Sequence, residues 1–199
     1  MKIFIARKIK VIKEFNKIAE IDEIARRYFA MNSFDGVLMI LGILIANLFA
    51  LVYEKRIILV TSIGAIVAVT ISGMWGAYMT ENAERTGQIK KLEKHVGMSL
   101  KKTPIHRAHR FATFFLSLVN GFSSLLVGLI ILSPFFVSFL NIKLAYFFAI
   151  GLAFLVLFSI GVFLGKISKT RLFTSGVKIL AAGIICVIVI FLLEKLRGA

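Results

Sequence analysis

Long apolar stretches separated by short charged gaps set the pattern of this chain. The first lies between Arg27 and Glu54 and is interrupted only by Asp35. The second, Ile57–Thr80, carries no charge. Residues 111–142 are also uncharged but too long for one span, and Ser133–Pro134 marks a break because proline lacks the backbone donor a helix needs. Leu144–Gly165 and Leu172–Leu193 follow, the last with Lys178 inside it. A helix that crosses a bilayer needs ~20 mostly apolar residues, since lipid cannot satisfy exposed backbone groups. The pattern therefore predicts an all-α integral membrane protein with five transmembrane helices, at about 31–53, 57–80, 110–134, 144–165 and 172–194.

Two further segments have helical periodicity without being long apolar runs. Residues 3–30 place Ile12, Phe15, Ile18 and Ala19 near one face, with Lys13, Lys17 and Glu20 elsewhere. This predicts an amphipathic N-terminal helix over 1–30, lying on anionic lipid or on the second segment. It has neither the apolar core nor the cleavage site of a signal peptide. The second segment, 81–107, opens with ENAERTGQIKKLEKH and reads as a short helical extension of the second span into water, with Gly97 and Pro104 ending its regularity. Domain organisation is thus expected to be 1–30, then a membrane domain over 31–196 that includes the helical loop 81–107.

Composition agrees. Of 199 residues, 59% are hydrophobic and 18% charged, and mean hydropathy is +0.91, which excludes a soluble enzyme and a disordered polymer. One cysteine excludes a disulfide scaffold, and Cys186 reads as a small buried hydrophobe. A net charge of +15 would ordinarily suggest nucleic acid. Here nineteen of the 25 lysines and arginines fall in alternate gaps (1–34, 80–110 and 165–171), whereas the opposite gaps hold five. That bias predicts a cytoplasmic N-terminus, an external C-terminus, a multi-pass place in the cell membrane and no nucleic-acid partner.

Soluble-type catalytic motifs are missing: there is no phosphate-cradling glycine loop, nucleophile elbow or HExxH. HRAHR at 106–110 spaces His106 and His109 as metal ligands can be, but among arginines at a membrane edge it reads first as part of the positive belt. Asp35 stands out, since a carboxylate inside a span costs several kcal/mol unless it is paired, hydrated or functional. The alternative is that Ser33 or Asp35 caps a helix starting at the inner interface. Met31 and Met39 share the Asp35 face, and thioether beside carboxylate suits a borderline transition metal. On the second span, Met74, Tyr78, Glu81, Glu84 or Arg85, and Gln88 recur at helical spacing, a polar line from the cytoplasm toward mid-bilayer or simply a solvated face. Gly73, Gly76, Gly121, Gly128, Gly161 and Gly165 would let helices approach closely. Asn47 and Asn120 offer neutral oxygens or helix-to-helix hydrogen bonds, and Lys178 either snorkels or opposes Asp35.

NSFDGVLMILGILIAN (32–47) resembles the first helix of the vacuolar iron transporter family, with its Asp-Gly pair and glycine-containing apolar run. SGMWGAYMTENAE (72–84) is similar to that family's second-helix segment, and GKISKTRLFTSGVKILAAGII (165–185) to its closing pattern. The resemblance runs over most of 32–193. It implies a homodimeric carrier that exports Fe²⁺ or Mn²⁺ from the cytoplasm in exchange for protons. It also implies metal-path roles for Asp35 and, with a one-residue offset, Met74, and a cytoplasmic extension that gathers metal through Glu81 and Glu84, with Glu93 and His95 as further candidates. Ala77 stands where the family has an acidic residue, and the loop after the second helix is shorter than the family's three-helix domain.

The expectation is a proton-coupled divalent-metal transporter, not an enzyme, with no permanently bound cofactor. Asp35 would exchange metal for protons, Met39 and Met74 would supply soft selectivity, and a two-fold dimer would place the path at its interface. Two other readings stand beside it: a non-transporting structural or assembly protein, and a membrane enzyme acting on lipid head groups through HRAHR and Asp35.

Overall fold

The computed structural model describes residues 14–16, 18–101 and 103–197, so most of the expected amphipathic helix lies outside the described residues. All regular structure among them is helical: α1 (Ile21–Phe49), α2 (Lys55–Val96), α3 (Pro104–Phe136), α4 (Ile142–Ile167) and α5 (Leu172–Arg197). All five are long and apolar enough to cross a membrane, and the chain is a multi-pass membrane protein.

Three element boundaries differ from the sequence expectation. Residues 14–16 and 18–19 are helical, but Glu20 adopts a left-handed φ of 50° and ends that segment. Asn16 then caps the next helix: its Oδ1 accepts from the Asp22 N–H at 2.8 Å and its Nδ2 donates to Asp22 Oδ2 at 2.6 Å. Residues 21–30 therefore belong to α1, ahead of the apolar stretch that forms the first span. That helix also stops earlier than expected, at Phe49, where Leu51 turns left-handed (φ 55°) and the Val52 N–H reaches back to the Asn47 carbonyl. Pro134 lies inside α3 and does not end it. The Ile130 carbonyl, which loses a backbone donor at Pro134, accepts from Ser133 Oγ at 2.7 Å instead, and the helix runs on to Phe136.

α2 is one unbroken helix of 42 residues, about 63 Å at the usual rise. Its first half is the apolar stretch Ile57–Thr80, and its polar half continues to Gly97, whose φ of 70° closes it.

The chain divides into two compact units, residues 1–29 with 71–122, and residues 30–70 with 123–199. In the second unit Val37, Ile40, Leu41 and Leu44 of α1 pack with Ile58 and Ile66 of α2, Ile131 and Leu132 of α3, and Tyr146 and Leu157 of α4. Gly36 sits so close to α3 that a Cβ there would lie 2.9 Å from Ser124 Cα. On α4, a Cβ at Gly161 would lie 2.6 Å from Gly176 Cα of α5. Small residues thus set the backbone-to-backbone approach at these two crossings. Gly76, expected to do the same, has nothing within 4 Å of its Cβ position. The Tyr146 hydroxyl donates to the Val52 carbonyl at 2.8 Å, tying α4 to the turn after α1.

The first unit has a smaller core of Ala19, Ile21, Ala112 and Leu116, flanked by Phe15, Ile24, Tyr28 and Phe111. Asn120 donates its amide to the Gly73 carbonyl at 2.8 Å, a helix-to-helix hydrogen bond between α3 and α2.

Candidate functional site

The predicted site residues are distributed over both units. Asp35 and Met39 belong to the second; Met74, Glu81, Glu84, Glu93 and His95 belong to the first.

Asp35 lies fourteen residues into α1, in the helix interior, so the capping alternative does not apply to it. Its neighbour Gly36 is pressed against Ser124, while Asp35 itself is exposed on the outer face of the helix. Among the described residues it has no hydrogen-bond or ion-pair partner, and Lys178, also exposed, forms no ion pair with it. Met31 is exposed one turn before it, and Met39 is half-buried one turn after. A carboxylate on such a face is out of place against lipid tails and suits contact with water, a cation or a second chain. In the same unit the hydroxyls of Ser33, Ser62 and Thr70 are buried without a partner among the described residues. Each costs about 1–3 kcal/mol unless water reaches it.

In the first unit a cavity of about 250 Å³ is lined by Glu20, Glu81, Glu84, Arg85, Gln88 and His109, with Ile18, Ala19 and Ile24 as its apolar wall. Glu81 is 3% exposed and both of its oxygens are engaged. Oε1 accepts from the Tyr28 hydroxyl at 2.8 Å, and Oε2 from Arg85 Nε at 2.8 Å. Arg85, also buried, further donates Nη2 to the Ala19 carbonyl at 3.4 Å, just before the left-handed Glu20. Glu20 and Glu84 line the same cavity as the Glu81–Arg85 pair, and Glu84 is exposed on α2.

Tyr28 and His109 lie beyond the apolar stretches of their helices, beside the charged Arg26–Arg27 and Arg107–Arg110 segments. Burial, and then the hydrogen bond to Glu81, push the Tyr28 hydroxyl up to about 12, so it stays a donor. Burial, reinforced by the Arg85 charge, holds His109 below the usual imidazole value. His109 is therefore a neutral ring on this cavity, with a buried Nδ1 that has no partner among the described residues.

The remaining candidates have local roles. Glu93 Oε1 accepts from the Leu100 N–H at 2.7 Å and from Ser99 Oγ at 3.2 Å, closing the turn after Gly97. His95 Nδ1 lies 2.8 Å from the Lys91 carbonyl on its own helix. Met74 is half-buried on α2. Among the described residues no three His, Cys, Asp or Glu side chains converge on a point that would hold a metal ion.

Glu20 and Tyr28 carry no mark of a site in the sequence, whereas Arg85 is visible there within the polar line of the second span and His109 within HRAHR. The Glu81–Arg85 spacing of four was a usable signal for the ion pair. The Glu20 backbone reversal had none, because a non-glycine residue with positive φ carries no composition mark.

The chain is 33% identical over 177 residues to the uncharacterized protein MJ0645 of Methanocaldococcus jannaschii, a match covering 87% of this chain and 90% of that protein. The chain belongs to the same family as that archaeal protein. A match of this extent takes in most of the five membrane helices of this chain. No family model matches the chain. No solved structure matches it either.

Proposed function

We propose that this protein is a proton-coupled transporter of a divalent transition metal, Fe²⁺ or Mn²⁺, that exports the ion from the cytoplasm. The observation that carries the reading is Asp35: an exposed, unpartnered carboxylate in the interior of an apolar membrane helix. A proton or a cation can neutralise a carboxylate held in low dielectric, and that competition is the physical basis of exchange. The resemblance of residues 32–47 and 72–84 to vacuolar iron transporters supports the same reading.

One chain does not assemble a three-ligand set among its described residues, which favours a two-fold homodimer in which two Asp35 carboxylates and the neighbouring methionines share the path. Glu84, exposed on the cavity of the first unit, would concentrate cations at the cytoplasmic mouth, with Glu81 reached only after it leaves Arg85. The charge bias sets the N-terminus inside and the C-terminus outside. A second reading, a non-transporting assembly protein, is favoured by the internal pairing of Glu81 with Arg85 and Tyr28.

Uptake by proteoliposomes, tested ion by ion across an imposed pH gradient, separates the two. Saturable Fe²⁺ or Mn²⁺ flux that follows the proton gradient is expected; no flux with any divalent ion would overturn the transport reading.

A further inference from the structure

A concave surface lies where α2 begins. Lys55 is the first residue of that helix. Its ammonium donates to the Val137 carbonyl at 3.0 Å and the Leu140 carbonyl at 2.8 Å, in the turn between α3 and α4. These two bonds fix the ammonium in place without neutralising it, since carbonyls carry no net charge. Arg56 follows and is exposed. Among the described residues neither cation forms an ion pair.

The two cations edge a groove of about 600 Å³. Ser138 adds a hydroxyl, and Leu59, Val60, Phe135 and Phe136 form the rest of the wall, with Val60 64% and Phe136 55% exposed. The arrangement is graded along α2. Charge sits at the helix start, immediately before the uncharged run Ile57–Thr80, and the apolar wall begins one turn further in. The α2 N-terminus adds its own partial positive charge at the same end.

We propose that this groove seats an anionic phospholipid, its phosphate on Arg56, Lys55 and Ser138 and the start of an acyl chain along Leu59, Val60 and Phe136. Head groups lie at the boundary where an apolar helix run starts, which is where the two cations stand. A free anion would use the charged rim alone and leave the apolar wall without a role. A lipid uses both and needs no ligand from the aqueous phase. The proposal is independent of the transport reading.

Native mass spectrometry of the detergent-purified protein, titrated with phosphatidylglycerol or phosphatidylcholine, tests it. Wild type is expected to hold one phosphatidylglycerol more tightly than any phosphatidylcholine. Arg56→Gln should weaken that one lipid about tenfold, the order expected for one charge-assisted contact. Val60→Asn should weaken it without changing charge, whereas Lys195→Gln, a neutralisation elsewhere on the exposed surface, should not affect it. Thermal unfolding of each variant reports whether it is folded. Retention of the tight lipid by Arg56→Gln would overturn the proposal, as would equal losses in Arg56→Gln and Lys195→Gln. Displacement of the lipid by millimolar inorganic phosphate would also overturn it, by showing a free-anion site.

Discussion

Arg85 stands one helical turn after Glu81 and donates its Nε to Oε2 at 2.8 Å, with both side chains almost completely enclosed. Breaking such a pair from one side strands the other charge. Glu81→Gln is therefore expected to destabilise the protein by about 3–5 kcal/mol, whereas the apolar double replacement E81L/R85M should cost much less. Thermal unfolding in detergent reads both. Equal losses would mean that the guanidinium finds another partner.

Glu84 shares the cavity but is exposed, so on the proposed transport function it would act on cations by long-range attraction. Glu84→Gln should raise the half-saturating metal concentration roughly two- to fivefold at low salt and leave the maximal rate unchanged. Near 1 M salt, where the screening length is ~3 Å, the difference should vanish. An effect that persists at high salt would indicate direct ligation.

For Asp35 the decisive change is to Asn, which keeps shape and hydrogen bonding but removes the charge. Transport should fall at least about tenfold, the scale on which metal sites respond to loss of a supporting group. Folding should survive, because removal of an unpaired carboxylate from an apolar helix relieves a cost. Asp35→Glu should bind but carry poorly. Wild-type flux through the Asn variant would remove the exchange role.

His109 gives a pH signature. Its imidazole is held below the ordinary value of 6.5, so the unfolded chain binds this proton more readily than the folded one. The associated stability is complete above pH 6.5 and is lost as pH falls from there toward the lowered value. Melting temperature should decline over that interval in wild type, and less steeply in His109→Gln. Parallel pH profiles for the two proteins would assign the decline to other groups.

Orientation is checked with reporter fusions. A fusion after Ala199 should report the external side and one at Met98 the cytoplasm, as the distribution of nineteen basic residues against five predicts. A C-terminus found inside would be incompatible with five crossings and an internal N-terminus.

The membrane helices are legible in the sequence because the bilayer imposes length and apolarity together, a demand that leaves long uncharged runs such as Ile57–Thr80. Their ends are less so. Pro134 was expected to stop α3, but Ser133 supplies the missing donor to Ile130, a substitution visible only once side chains are placed. Asp35 was conspicuous from its surroundings alone. The enclosure of Glu81 was not, since its helical spacing fits a solvated face equally well, and burial depends on Tyr28 and Ala19 arriving from a segment more than fifty residues away. Gly76 is the converse case, a small residue that invited a close crossing and meets nothing within 4 Å.

On the proposed transport function, the contact between Gly36 and Ser124 limits how Asp35 can be presented to either side of a membrane. With no room even for a methyl group between the two backbones, α1 cannot roll or slide on α3 at this level without collision. Any motion that carries the neighbouring carboxylate must therefore move both helices together as one block. A bulkier residue at position 36 should pry the block apart.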